Sequence, residues 1–151
     1  MLVYADTSVF GGVFDPEFAS PSLAFFDRVR ARAFEVVISA LVVDELEDAP
    51  AQVQSLFADL APVVVSVEIG VEAYNLQQAY LDARVVSRTS ETDALHVATA
   101  TVSGCRAIVS WNFKHIVNFR RIPLYNGVNQ MQGYGPIAIH TPPEMALDEE
   151  D

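Results

Sequence analysis

Three acids and an amide recur at the ends of apolar runs, where side chains from separate segments can converge. Asp6 closes the first run, Glu45 follows the second, Asp93 enters an apolar helical stretch, and Asn112 comes just after Ala107-Ile108-Val109-Ser110. Gathered in one place, they would offer mostly hard oxygen donors, which suit Mg2+ or Mn2+ and not zinc or copper. The chemistry open to that set is metal-assisted attack of water on a phosphodiester. Each residue alone has a plainer role. Asp6 would turn the chain, and Glu45 would belong to the solvated face Asp44, Glu45, Glu47, Asp48. Asp93 would complete a capping box begun by Ser90, and Asn112 would be ordinary turn chemistry.

The elements that carry these residues decide whether they can meet. Leu2-Val3-Tyr4-Ala5 predicts a buried strand over 2–6 that gives way to a polar loop at Asp6-Thr7-Ser8. Further buried strands are expected at Glu35–Ile38 and 63–67, a fourth strand at 107–110, and a fifth at Ile137-Ala138-Ile139. Ser20-Pro21 opens an amphipathic helix through Phe25, Phe26, Val29 and Ala33, and Ser39 caps the helix carrying Glu45. Pro50 starts a helix that Pro62 ends, and Glu68 to Ala83 reads as a long surface helix. Ser90-Glu91-Thr92-Asp93 leads into a largely buried helix that closes at Gly104, and Thr141-Pro142-Pro143-Glu144 is a second capping box. Strands alternating with helices predict an α/β fold, a three-layer α/β/α sandwich around a mainly parallel sheet. Ligands of such sheets collect at the carboxyl ends of the strands.

Length and composition agree with one compact unit. The chain has 151 residues, 51% of them hydrophobic and 19% charged, and a mean hydropathy of +0.24. This predicts a single domain over 1–145 followed by an acidic tail, 146–151. A lone cysteine, Cys105, excludes an internal disulfide and a thiolate metal site. With no apolar run long enough to cross a bilayer and no signal-peptide pattern, the expected location is cytoplasmic, without membrane contact. Twenty acids against nine bases give a formal charge of −11, so a polyanion would have to be handled through a local site or a basic partner. His96 reads as a satisfied, partly buried histidine, Cys105 as a small apolar residue, and Phe25, Phe26 and Phe57 as core.

Four segments taken together resemble the PIN-domain family, in particular VapC-type toxins of bacterial toxin–antitoxin pairs. They are Val3-Tyr4-Ala5-Asp6-Thr7-Ser8-Val9, the Asp44-Glu45 helix, Thr92-Asp93-Ala94-Leu95-His96-Val97-Ala98-Thr99-Ala100 and Val109-Ser110-Trp111-Asn112-Phe113-Lys114-His115-Ile116. Tyr134-Gly135 and Thr141-Pro142 extend the likeness to about residue 145. The resemblance implies a metal-dependent endoribonuclease in which Asp6, Glu45 and Asp93 ligate Mg2+ or Mn2+ and Ser8 lies near the metal. It also implies a cognate antitoxin and a homodimer. Many relatives carry a fourth acid where this chain has Asn112, whose carbonyl accepts a bond but adds no charge, so one well-held ion is expected.

Rival functions fit less well. An aspartyl-phosphate phosphotransferase needs a second acid two residues after the first, where this chain has Ser8; Gly11-Gly12 lacks the further glycines of a dinucleotide site. A PIN-like binding or dimerisation module with an inactive site stays open as an alternative. Lys114, His115, Arg120 and Arg121 follow the last site segment and are the candidates for contacts to an RNA backbone, with a solvated basic loop as their plainer role.

Overall fold

The computed structural model describes residues 1–146, so most of the acidic tail lies outside the described residues. In chain order the elements are β1 (Leu2–Ala5), α1 (Thr7–Gly12), α2 (Ala19–Arg30), β2 (Glu35–Ser39), α3 (Ala40–Glu47), α4 (Ala51–Leu60), β3 (Val64–Val67), α5 (Val71–Asp82), α6 (Glu91–Val102), β4 (Ala107–Val109), α7 (Ile122–Met131) and β5 (Ala138–His140). Every strand pair is parallel, in the order β3-β2-β1-β4-β5. The flanking helices complete the three-layer α/β/α sandwich. No helix among the described residues is long and apolar enough to cross a membrane.

Strand β1 lies at the centre of the sheet, and Val3, Tyr4 and Ala5 are fully buried. A strand covered on both faces has no solvent side, so its apolar run is continuous where a half-exposed strand would alternate. On one side Phe10 packs against Phe26 and Phe57, with ring centroids 5.1 and 5.8 Å away, and Phe25 joins Phe26 and Phe34. Elsewhere Tyr80 and Tyr125 meet edge to face at 4.9 Å. The Tyr80 hydroxyl donates to buried Asn129, whose amide donates to Thr101 Oγ1, so the polar groups inside this contact are paired.

Several expectations are corrected at helix starts; among them, α2 begins at Ala19 with Phe18 at its N-cap, ahead of Ser20-Pro21. Asp6-Thr7-Ser8 is the beginning of α1 and not a loop: Asp6 occupies the N-cap with extended backbone (φ −81°, ψ 175°), and its carboxylate accepts from the Ser8 amide at 3.1 Å. Ser39 and Ser90 hold the N-cap positions of α3 and α6, yet neither side chain caps its helix. Their hydroxyls are drawn to Tyr4 and His115, partners that lie far away in sequence. Helix α5 begins at Val71, later than expected, and α7 has no counterpart in the sequence reading. The box at Thr141 is present: its backbone N–H and hydroxyl both donate to Glu144.

Gly12 ends α1 beneath the indole of Trp111. A Cβ there would stand 2.6 Å from Trp111 Nε1 and 2.7 Å from Ser22 Oγ, the two atoms that hydrogen-bond each other at 2.8 Å. Gly12→Ala is therefore expected to cost about 1–3 kcal/mol through overpacking, read as a lower denaturant midpoint at unchanged m-value.

Candidate functional site

Asp6 projects from the carboxyl end of the central strand and is only 4% exposed. Two hydroxyls bracket its carboxylate. Ser8 Oγ donates to Oδ1 and Ser110 Oγ donates to Oδ2, each at 2.6 Å. Both hydroxyls are fixed in turn, because Ser8 Oγ accepts from the Trp111 amide and Ser110 Oγ from the Asn112 amide, each at 2.9 Å. Strand register explains Ser110: Ala5 pairs with Val109, so the next residues on the two strands are Asp6 and Ser110. That register was the signal available for Ser110, which sequence reasoning did not place in the site.

Glu45 comes from α3 and is held by a chain of polar groups that begins inside the core. Tyr4 OH lies 2.8 Å from both Ser39 Oγ and His96 Nδ1, and His96 Nε2 lies 2.8 Å from Glu45 Oε1. Because a carboxylate only accepts, Nε2 donates to Glu45; in the neutral ring Nδ1 then accepts from Tyr4, and Ser39 donates to the tyrosine oxygen. Thr7 Oγ1 donates to the same Glu45 oxygen at 3.1 Å. His96 is buried and satisfied, as expected. Its second partner is a site carboxylate, which spacing alone did not reveal.

The two carboxylates shift in opposite directions although burial raises both. Desolvation raises the Asp6 pKa, against the lowering effects of the His96 charge and the two serine bonds; the Glu45 charge adds a small further rise. Burial also pushes Glu45 upward, but the His96 hydrogen bond and charge, together with Thr7, bring it below the usual glutamate range. The sequence makes like-charge repulsion the natural cause of strain in such a site. Here desolvation of one carboxylate is the larger cause.

Asp6 favours its protonated form on folding, so its contribution is complete below the ordinary aspartate pKa and is lost as pH rises through the raised folded value. Glu45 contributes above the ordinary glutamate pKa, and that contribution is lost as pH falls through its lowered value. Stability of the native chain relative to Asp6→Asn is thus expected to improve as pH falls from neutrality through the folded Asp6 pKa. Urea midpoints of the two proteins across that range measure it.

Asp93, in the first turn of α6, is engaged differently. Its Oδ2 pairs with His115 Nδ1 at 3.0 Å, and Ser90 Oγ stands 3.2 Å from His115 Nε2. Asn112 uses its side-chain oxygen to accept from the His115 amide at 2.9 Å, so it shapes the turn that presents His115. Arg121 ties this loop to the end of α5, donating from Nε to the Lys114 carbonyl and from Nη1 to the Val85 carbonyl at 2.9 and 2.7 Å. Lys114 and Arg120 are exposed.

The donor chemistry of Asp6 and Glu45 fits a hard divalent cation: both are carboxylates, and Glu45 Oε2 has no hydrogen-bond partner among the described residues. No group of three His, Cys, Asp or Glu among the described residues is assembled to hold a metal, and Asp93 is turned to His115. The structure therefore brings Glu45 to the residue next to Asp6, through its bond from Thr7, while Asp93 and Asn112 are organised around His115.

Neither a protein-family profile nor a curated protein sequence matches this chain. Solved structures do. The chain is similar to VapBC2 from Rickettsia felis, bound to a DNA fragment from its promoter, with a TM-score of 0.60, 11% identity and coverage of 93% of this chain and 98% of that one. It is similar to VapC20 of Mycobacterium tuberculosis, a toxin that cleaves the sarcin–ricin loop, with a TM-score of 0.55, 15% identity and coverage of 75% and 92%. For FitAB bound to the IR36 DNA fragment the TM-score is 0.59, at 12% identity, covering 99% of each chain. Identities this low speak for architecture alone, and the architecture is a PIN-domain, VapC-like fold.

Proposed function

We propose that this protein is a metal-dependent endoribonuclease that hydrolyses RNA phosphodiester bonds, and that it acts as the toxin of a toxin–antitoxin pair. The observation that carries this reading is buried Asp6, oriented by Ser8 and Ser110 at the end of the central strand, with Glu45 bonded by the adjacent Thr7. A carboxylate kept in an environment that disfavours its own charge is poised for a cation. Asp6, Glu45 and Asp93 would hold Mg2+ or Mn2+, which when bound supplies an activated water and neutralises charge on the phosphate.

The chain's own residues do the positioning. Ser8 and Ser110 fix both Asp6 oxygens, so the carboxylate enters the reaction without rotamer search. His96 and Thr7 hold Glu45 ionised, which keeps it an acceptor at neutral pH. Asn112 presents His115, and His115 orients Asp93. Lys114, His115, Arg120 and Arg121 are assigned to the RNA backbone near this end of the site. Ser8 serves Asp6 directly.

The neighbours VapBC2 and FitAB support a cognate antitoxin as partner, and a homodimer is proposed with it, to be checked by light scattering of the purified chain. A binding or dimerisation module without activity is the second reading. Engagement of Asp93 by His115 favours it. Incubating a cellular RNA pool with the protein in Mg2+ or Mn2+, then with EDTA, separates the two. Cleavage that chelation abolishes and added metal restores supports the nuclease; intact RNA under every condition supports the module.

A further inference from the structure

Beside the Asp93–His115 pair lies a cleft of about 480 Å3 whose polar lining includes Arg84, Ser87, Arg88, His115 and Arg121. In a chain with nine bases and a net charge of −11, three arginines share this one cleft, and none of its lining residues is acidic. The cleft is built from anchored backbone. Val85 and Val86, between the first two arginines, are 1% and 3% exposed, and the Val85 carbonyl receives Arg121. Arg84 itself follows the end of α5 in the left-handed region, φ +60°, with its N–H on the Leu81 carbonyl and the Val85 N–H on the Tyr80 carbonyl. That is a helix-ending position usually given to glycine. Among the described residues the side chains of Arg84 and Arg88 form no ion pair and no hydrogen bond, so both guanidinium groups are open to a ligand.

Unpaired guanidinium forks on a fixed loop match the oxygens of phosphate diesters. Resting on the nuclease reading above, we propose that this cleft binds backbone phosphates of single-stranded RNA next to the Asp93 end of the site, with Arg84 and Arg88 as the contacting residues. His115 is shared: it lines the cleft and pairs with Asp93, which places the cleft beside that acid. Contacts of this kind fix strand path and register without reading sequence. They also allow a strongly acidic protein to hold a polyanion, since the attraction is local and the repelling charges lie elsewhere.

The test is fluorescence anisotropy of a labelled twelve-nucleotide oligouridylate in EDTA, where no cleavage competes. Arg84→Gly removes the charge and relieves the left-handed backbone, so its Tm does not fall. Arg32→Gly is the matched control, because Arg32 also ends a helix at φ +62° but does not line the cleft. Arg84→Gly is expected to weaken binding by roughly tenfold at low salt, and Arg84→Gly with Arg88→Ala to reduce the salt slope by about 1.4, the value for two lost single-strand phosphate contacts. Equal weakening by Arg32→Gly would reduce the effect to net charge and overturn the proposal. So would unchanged binding in the double variant, or oligoglutamate bound as tightly as the RNA at the same salt. Arginine-dependent binding with no cleavage in Mg2+ or Mn2+ would sink the nuclease reading and leave the cleft standing. Metal-dependent cleavage with a KM indifferent to both arginines would do the reverse.

Discussion

Asp6→Asn is expected to lower RNA cleavage by at least about two to three orders of magnitude while giving a protein with a higher Tm at neutral pH. The loss follows from removing the most buried carboxylate of the site; effects of about this size accompany removal of one preorganised electrostatic group. The gain follows from the raised Asp6 pKa, since an ionised carboxylate inside the fold opposes folding at neutral pH. The bracket tolerates the amide. Its carbonyl oxygen would still accept from Ser8, and the Ser110 hydroxyl can rotate to accept from the new N–H. Activity and stability moving in opposite directions is the signature of a site residue and not of a structural one. Single-turnover cleavage and thermal melting of the same preparations measure both.

The second large effect concerns His96. Replacing it with alanine empties a buried ring site and strips partners from Tyr4 and Glu45, at an expected cost of about 2–4 kcal/mol in stability. Cleavage should fall by about 10- to 100-fold, the usual range for residues that orient a ligand-bearing carboxylate. A merely structural histidine would lower stability and leave the pH dependence alone. Here the acid limb of the pH–rate profile is expected to move to higher pH, because Glu45 loses the hydrogen bond and charge that offset its burial. Profiles of the folded fraction, with denaturant melts as the stability reference, distinguish the two.

What was legible in the sequence was local. The apolar runs at 2–5, 35–38 and 107–109 are strands buried in the sheet interior, and Asp6 stands out as the residue that ends the central one. The run 64–67, expected to be buried as well, is the edge strand β3, where Val65 is 49% exposed because only one neighbouring strand shields it. Helix α7 escaped notice because Pro123, Asn126 and Gly127 interrupt its pattern, although Tyr125, Val128 and Asn129 form its buried face. The partners of the site residues were out of reach for a different reason. Tyr4 and His96 are 92 residues apart, and Ser110 and Asp6 are 104 apart; only strand register and helix packing bring them together. The same long-range bonds take Ser39 and Ser90 from the caps that short-range rules assign them.

On the proposed function, Asp6, Glu45 and Asp93 take one divalent cation at the end of the sheet. Paramagnetic broadening of the protein's NMR resonances by trace Mn2+ locates that ion, because broadening falls off steeply with distance from it. The predicted result is selective loss of the Thr7, Ser8 and Trp111 amide signals and of those at the start of α6, reversed by excess Mg2+ and absent in Asp6→Asn. Broadening confined to the acidic residues 148–151, or equal in the native and Asp6→Asn proteins, would contradict it.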